Sequence, residues 1–579
     1  MNLNEVEHEE IDRRYPDFRE AFENCDFDYL LKMLKNKSDL RGLKTSSEME
    51  SSLEKANKKP LMKSDKMSTL IRNNGNKLLR KVNPSEPSSY LPILLRYETA
   101  LCFAVSDECK YKAYGNIAKI YQNVNFHEHG LAASQYALQH AEASHADRKF
   151  EQKIIKRITD CHFGIISRSE PKPESKISSK MFISKSLKLC DISGIKSVVS
   201  TAVLKPGDII AHTKPFAFIS CKELRRQTCN HCGNRTSAIT VPCDNCVHAS
   251  FCSEICKSFA MSEKGFHTLE CHLFSDNFLL KEEYIHMALK FTVKALKITN
   301  KQSFENDDQY NIFDWEDKDG DHNLYHDSSP YVLSNLCNHE NDEKILKSIL
   351  SMKKMELGFE EMLKVTLRFN EILEKLRRFK AFKNFIGKLE NGEKSFSEMF
   401  FKVYPITRFN MFVADSKFNI DGFYGNLTHS CKPNLMVFQD SSGINSYVVF
   451  EDIKVGEKLT VALRDVFYEV HTKLERERLF NGFFGFKCDC YACRENLPTD
   501  QNEEQLQRII SKFYAAMGER EEEGEFKELI EEFVKPCEMY EGRITLFQKL
   551  FYIQLHHCDV HALFAESSEN IEKIERGLL

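Results

Sequence analysis

The chain has 579 residues, 20 of them cysteine, with 81 basic against 86 acidic side chains and a formal net charge of −5. A chain of this length exceeds what one hydrophobic core serves, so several domains are expected. The balanced charge gives no broad electropositive surface, which disfavours direct nucleic-acid binding as a main role.

The N-terminus, MNLNEVEHEEIDRRYPDF, is acidic and polar, unlike a secretory signal. No run of about 18 apolar residues offers a membrane span, so a reducing compartment and no membrane role are the expectation. Residues 1–175 read as a helical region. Within it Lys32 to Lys81 is lysine-rich but interrupted by acids and serines, and reads as a solvated stretch rather than a nuclear-import signal. Leu70–Leu79 (LIRNNGNKLL) and Ala113–Leu138 (AYGNIAKIYQNVNFHEHGLAASQYAL) look like pieces of tetratricopeptide helical repeats. In the second, Ala118, Tyr121, Phe126 and Ala137 fall near the small and aromatic positions by which paired helices pack, with one extra residue in the turn. Generic helical hairpins are the competing reading.

From Ser193 to Phe216, β-branched runs flank the turn Lys205-Pro206-Gly207-Asp208, a hairpin-like signature. Then come Cys229, Cys232, Cys243, Cys246, Cys252, Cys256, His267 and Cys271, reading CNHC, CDNC, CSEIC and HTLEC. Four ligands close a structural zinc site, so these eight predict two sites. A disulfide framework would need an oxidising compartment; in a reducing one, closely spaced thiols are metal ligands more often than bridges. Residues 229–271 alone bury too little apolar surface to fold unaided, so the metal supplies the stability and, with every position filled, does no catalysis. The scattered cysteines, such as Cys102, Cys161 and Cys190, read as small buried hydrophobes.

Beyond the eight ligands, Glu282–Ile298 and Lys344–Phe379 carry apolar residues at threes and fours and predict helices. Between them DWEDKDGDHNLYHD (314–327) fails as a calcium loop: with Gly320 at the sixth position, Trp315 and His326 would fall on ligand positions. It reads as a solvated acidic loop. Ser446–Leu463 again reads strand, turn at Val455-Gly456-Glu457, strand. Cys431, in THSCKPN, stands ahead of it, and Cys488, Cys490 and Cys493 of CDCYAC follow. Those three thiols need a fourth, and Cys431 is the candidate. Gln501–Leu579 is helical by pattern, with Leu529, Ile530 and Phe533, or Leu546, Leu550 and Leu555, marking faces. The glycosylation-like triplets NKS, NRT and NLT carry no weight without secretion.

The order of the first four pairs resembles the MYND zinc finger. That resemblance implies interleaved sites: Cys229 and Cys232 with Cys252 and Cys256, and Cys243 and Cys246 with His267 and Cys271. The short strands, THSCKPN and CDCYAC resemble a SET domain, the fold of protein-lysine methyltransferases, and a finger inserted into its first strands is the arrangement of the SET-and-MYND family. The resemblance covers residues 181–495; YVLSNLCNHEN (331–341) resembles the insert of one animal branch. The implied fold class is α+β and multidomain: an N-terminal helical, tetratricopeptide-like region at 1–175, the first SET segment at 181–228, the finger at 229–271, a helical insert at 272–400, the SET core at 401–470, a post-SET zinc site at 471–495 and a C-terminal helical domain at 496–579.

The same resemblance implies three zinc ions per chain and S-adenosylmethionine as cofactor, bound about Lys196, Asn410, Thr428, His429 and Phe486. Here the sequence departs from the pattern. The family's cofactor Asn-His pair is Thr428-His429, and its Gly-Arg-Gly turn is Ile195, Lys196 and Ser197. A threonine hydroxyl cannot reproduce an amide's donor and acceptor, and loss of both glycines denies the backbone its close approach. The two tyrosines lining the family's lysine channel are Leu463 and Phe484, neither with an oxygen, a change worth on the order of 10² in rate each. No catalytic residue is assigned. Two readings stand: a divergent S-adenosylmethionine-dependent protein-lysine N-methyltransferase, its hydroxyls supplied by Tyr424 or Tyr331 and its activity reduced or lost, or an inactive scaffold or transcriptional corepressor adaptor. In the second, the finger, with Phe251 and Phe266 as candidate groove aromatics, and the helical flanks bind partners. Implied partners are lysine-containing peptides, corepressors or chaperones; the implied location is cytoplasm and nucleus.

Overall fold

The computed structural model describes residues 16–30, 62–82, 90–167, 182–299, 346–463 and 473–495, apart from short stretches inside these ranges. The acidic loop 314–327, the segment 331–341 with Tyr331, and the helical pattern over 501–579 lie outside the described residues.

After a short helix α1 (Pro16–Glu23), five helices form the N-terminal region: α2 (Asp65–Leu79), α3 (Leu91–Phe103), α4 (Asp107–Asn123), α5 (His127–Ala143) and α6 (Arg148–Ser167). Ser64 and Ser106 cap α2 and α4, each hydroxyl accepting a backbone N–H in the first turn, and acids follow both caps where the helix dipole favours them. Neighbours in sequence pack in pairs, α2 on α3 and α5 on both α4 and α6. Small residues make the approach close: Ala113, Ala118, Ala133 and Ala137 are buried with Tyr97, Tyr114 and Tyr121. Two sequence expectations change. The end of the lysine-rich stretch is packed helix, with Ile71 fully buried. Phe126 is 56% exposed rather than packed, because it caps the start of α5 just after Asn125, whose φ of 61° turns the chain.

The β-rich region is a set of small sheets. β1 (Phe182–Ile183), β4 (Ile209–Thr213), β12 (Asn445–Val449) and β11 (Leu435–Gln439) form an antiparallel sheet in the order β1-β4-β12-β11. β5 (Ala217–Ser220), β9 (Lys417–Ile420) and β8 (Phe412–Ala414) form a second, β2 (Leu187–Ile192) pairs with β3 (Ile195–Ser200), and β6 (Val241–Pro242) with β7 (Ser250–Phe251). β10 (Thr428–His429) runs parallel to β13 (Thr460–Val461), with His429 opposite Val461. Neither hairpin read from the sequence forms. The turns are present, Asp208 N–H to Lys205 O at 3.0 Å and Glu457 N–H to Lys454 O at 3.0 Å, but the strands beside them part into different sheets. The two turn regions pair with each other instead: Leu204 and Ile453 exchange N–H to carbonyl bonds of 2.9 and 3.0 Å, and Leu459 N–H reaches Val198 O at 2.8 Å. Val198, Leu204, Ile453 and Leu459 are thereby buried in one core with Tyr424, Tyr447 and Val461.

Two helices, α7 (Glu254–Met261) and α8 (His267–Ser275), follow β7, and then α9 (Glu283–Thr299), α10 (Phe359–Leu376), α11 (Lys380–Ile386) and α12 (Glu393–Asn410). The helix expected over 344–379 is broken at 351–358, where Gly358 is extended and starts α10 afresh. α9 is apolar on most sides and lies against α12 and β5. Its lysines at spacings of four and three share a face. Lys290 donates to Asn230 O at 3.3 Å and Lys297 to Gly265 O at 2.7 Å, fastening the helix to the cysteine-rich segment, while Lys294 donates to Phe216 O at 3.0 Å just ahead of β5. The N-terminal helices cover another side of that segment: Tyr114 donates to Thr240 O at 2.8 Å, and Phe103, Ile71 and Ala100 bury Val247. Helix α13 (Lys473–Leu479), one π-helical turn (Phe480–Phe484) and α14 (Tyr491–Arg494) end the described chain. No described helix is long and apolar enough to cross a membrane.

Candidate metal centres and the surrounding site

Three groups of four donor atoms converge, each group with its atoms within 4.8 Å of one another: Cys229, Cys232, Cys252 and Cys256; Cys243, Cys246, His267 and Cys271; and Cys431, Cys488, Cys490 and Cys493. The first two interleave along the chain, as the resemblance implies. Local structure places them: Cys256 and Cys271 sit on α7 and α8, Ser253 caps α7 by accepting from Cys256 N–H at 3.1 Å, and Cys229 bridges to Ser250 beside β7.

The sulfur–sulfur separations fit a shared ion and exclude disulfides. Tetrahedral zinc with zinc–sulfur bonds near 2.3 Å sets sulfurs about 3.8 Å apart, against roughly 2.0 Å in a disulfide. Cys232 and Cys252 are 3.6 Å apart, Cys252 and Cys256 3.5 Å, Cys243 and Cys271 3.8 Å, and Cys431 lies 3.9 Å from Cys488 and 3.6 Å from Cys493. Hydrogen bonds from Cys229, Cys252 and Cys256 hold the Cys232 thiol well down, while burial and the hydrogen bonds with Cys232, Cys252 and Cys256 push Cys229 up. A divalent cation removes the conflict by stabilising all the thiolates together. The three groups are able to bind zinc.

His267 joins the second group through Nε2, 3.6 Å from the Cys246 sulfur. Its Nδ1 meets Glu270 Oε2 at 2.8 Å, and the other oxygen of Glu270 meets His286 Nε2 on α9. Burial pushes the Glu270 carboxyl up, but hydrogen bonds from His267 and His286 outweigh it and hold it well below the usual range. The Arg225 guanidinium, buried over the Phe274 ring at 4.8 Å, adds an opposite charge. The sequence reading missed Glu270, His286 and Arg225. A trace existed for one: Glu270 follows His267 by three residues on a helix, hence on its face. Phe251 and Phe266, the candidate groove aromatics, pack inward: Phe251 is fully buried against His267, and Phe266 stacks on His286 at 6.4 Å.

Around the third group lie the residues to which the resemblance gives a cofactor role. His429 accepts the Leu463 N–H on Nδ1 at 3.3 Å, which leaves Nε2 as the donor towards the Cys431 sulfur, 3.5 Å away. Its ring lies against Phe480 at 4.2 Å and Phe486 at 5.9 Å, and burial holds its pKa down to about 4. Thr428 donates to Ser197 Oγ at 3.3 Å. The Asn410 amide, at the end of α12, donates to Lys353 O at 2.7 Å and Ile406 O at 2.8 Å. Lys196 is in β3, opposite Asp191. Phe484 and Leu463 pack with Phe409, Phe480 and Phe486 in an apolar cluster against the cysteines. Tyr424 stacks on Phe412 at 3.8 Å and donates its hydroxyl to Ala462 O at 3.1 Å. The side-chain donors Thr428, His429 and Asn410 are thus all spent on internal partners. For S-adenosylmethionine, therefore, the side chains present are a poor fit.

No family model matches the chain. It is 21% identical over 305 residues to the histone-lysine N-methyltransferase SMYD3 of Mus musculus and 23% identical over 306 residues to the protein of the same name from Homo sapiens. Each alignment takes in 52% of this chain and 59% of the relative, so the chain spans rather more than half the length of the curated relatives it matches. This distant similarity fits a divergent SET-and-MYND-like member, with a mixed helix and small-sheet fold carrying zinc-type cysteine clusters.

Proposed function

We propose that the chain is a zinc-bound SET-and-MYND protein, descended from S-adenosylmethionine-dependent protein-lysine N-methyltransferases, whose catalytic power is reduced or lost and whose work is to hold protein partners. One contrast carries the reading. All twelve metal donors stand in three compact sets, while the positions expected to bear channel phenols are Leu463 and Phe484, packed among apolar side chains without a hydroxyl. Zinc is the metal that sulfur-rich tetrahedral sets favour, and three ions per chain follow. The engagement of Thr428, His429 and Asn410 with internal partners supports weak S-adenosylmethionine binding. Corepressors, chaperones or lysine-bearing proteins are the partner classes, met in cytoplasm and nucleus through the finger and the helices around it.

A specific observation favours the methyltransferase reading, in which methyl transfer persists. The Tyr424 hydroxyl, on Ala462 O, lies one residue from Leu463 and supplies a phenol beside β13. Calorimetric titration of the full chain with S-adenosylmethionine, then a lysine-methylation screen, separates the two. No heat at millimolar cofactor supports the scaffold; micromolar binding with transfer abolished by His429→Ala overturns it.

A further inference from the structure

We infer that Glu270 and His286 form an outer shell to the second metal group, holding His267 with Nε2 towards the ion, and so set how firmly that one site keeps its metal. This rests on the zinc reading above. The geometry is specific. An imidazole presents one nitrogen to a metal only if the other is protonated, and the partner of that N–H fixes both tautomer and ring plane. Here the N–H on His267 Nδ1 faces Glu270 Oε2 at 2.8 Å, and both side chains are fully buried.

Glu270 is in turn held from its other oxygen by His286 Nε2, 2% exposed. A carboxylate fixed at both oxygens cannot swing away when the site empties. The aromatic surroundings keep water from substituting: Phe274 lies against both imidazoles, at 6.2 Å from His267 and 5.3 Å from His286. His286 belongs to α9, outside residues 229–271, so a side chain beyond the ligand segment conditions the metal within it. Among the described residues neither other group has a carboxylate behind an imidazole ligand. Both are built from sulfur alone, and the carboxylate relay is particular to the one imidazole ligand.

The test uses the full chain loaded with cobalt(II), whose ligand-field bands distinguish a three-sulfur, one-nitrogen site from all-sulfur sites, and a graded chelator. With Glu270→Gln or His286→Phe, the mixed site should release its metal at a chelator concentration 10- to 100-fold lower than in the unmodified chain. The two four-sulfur sites should release as before. Equal retention of the mixed site in both variants overturns the inference. Should a variant fail to fold, the unmodified chain labelled with 15N-histidine decides: protonated Nδ1 and metal-shifted Nε2 on His267 support it, and the opposite tautomer sinks it. Absence of any mixed-site band in the unmodified chain is a different result, which refutes the zinc reading itself.

Discussion

The Thr428 hydroxyl donates to Ser197 across 3.3 Å and joins β10 to β3. Both residues occupy positions where the sequence departs from the SET-and-MYND pattern that it resembles, and the two departures satisfy each other. Ser197 is fully buried, so the bond is sheltered on one side, and such a bond contributes about 1 kcal/mol to stability. Under the proposed function, two positions to which the resemblance gives a cofactor role are here engaged with each other.

Restoring the pattern with Ile195→Gly, Ser197→Gly and Thr428→Asn should therefore cost stability and return cofactor affinity. Each glycine placed in β3 removes roughly 0.5–1 kcal/mol. S-adenosylmethionine affinity by calorimetry should rise at least about tenfold, which corresponds to about 1.4 kcal/mol. Affinity unchanged in a folded variant would mean that this cradle is not what limits binding.

Cys431→Ser should leave two zinc ions per chain, against the three proposed for the unmodified protein, as read by metal analysis. Cys431 and Cys488 are 57 positions apart, so the ion closes a long loop, and its loss should also loosen the segment from Phe480 to Cys493 in hydrogen exchange. Three ions retained would show that the Cys488, Cys490 and Cys493 set closes with another donor. Because each thiol must lose its proton to bind, acid should strip the metals as pH falls.

The donor groups were legible because ligand spacing is local: two cysteines two or three residues apart already define an edge of a tetrahedron. Cys431 was legible only as the answer to a count, three thiols seeking a fourth. The pairing of Leu204 with Ile453 left no such trace, since each segment on its own shows β-branched residues beside a turn, which is also what a hairpin shows. Only the shared core with Tyr447 and Val461 selects the distant partner. His286 was hidden for a similar reason: within α9 it is one more residue of an almost wholly buried helix, and its role comes from Glu270 across the interface.

Glu98 gives the fold a pH dependence of the opposite sign to that of the metals. It lies in α3, 4% exposed, where burial raises its pKa from 4.5 to about 8 despite hydrogen bonds with Thr240 and Gln227. Folded chains therefore keep the proton that unfolded chains release above pH 4.5. Stability from this group is fully present below that pH and is lost as pH rises through about 8, at up to on the order of 1 kcal/mol per unit. Glu98→Gln should flatten that decline and make the protein more stable at pH 8, measured by denaturant unfolding at fixed zinc. A slope identical to that of the unmodified chain would show that Glu98 reaches water.

Leu463→Tyr with Phe484→Tyr asks whether missing phenols alone limit methyl transfer. Leu463 is half-buried, and its amide, not its side chain, holds His429, so a tyrosine there keeps the Leu463 N–H bond at 3.3 Å. Phe484 is 7% exposed and 5.7 Å from Phe409, so a new hydroxyl must find a partner or cost about 1–3 kcal/mol. The double variant should be less stable than the parent. If the cofactor still binds, transfer of labelled methyl to lysine peptides should rise by on the order of 10², the worth of one oriented donor in a reaction of this kind. Tyr424→Phe supplies the counter-test. Its hydroxyl bond to Ala462 O contributes about 1 kcal/mol, so a loss of stability alone assigns that phenol to the fold. Loss of residual transfer in Tyr424→Phe, together with no gain in the double variant, would overturn the scaffold reading and make Tyr424 the hydroxyl that the chemistry retained.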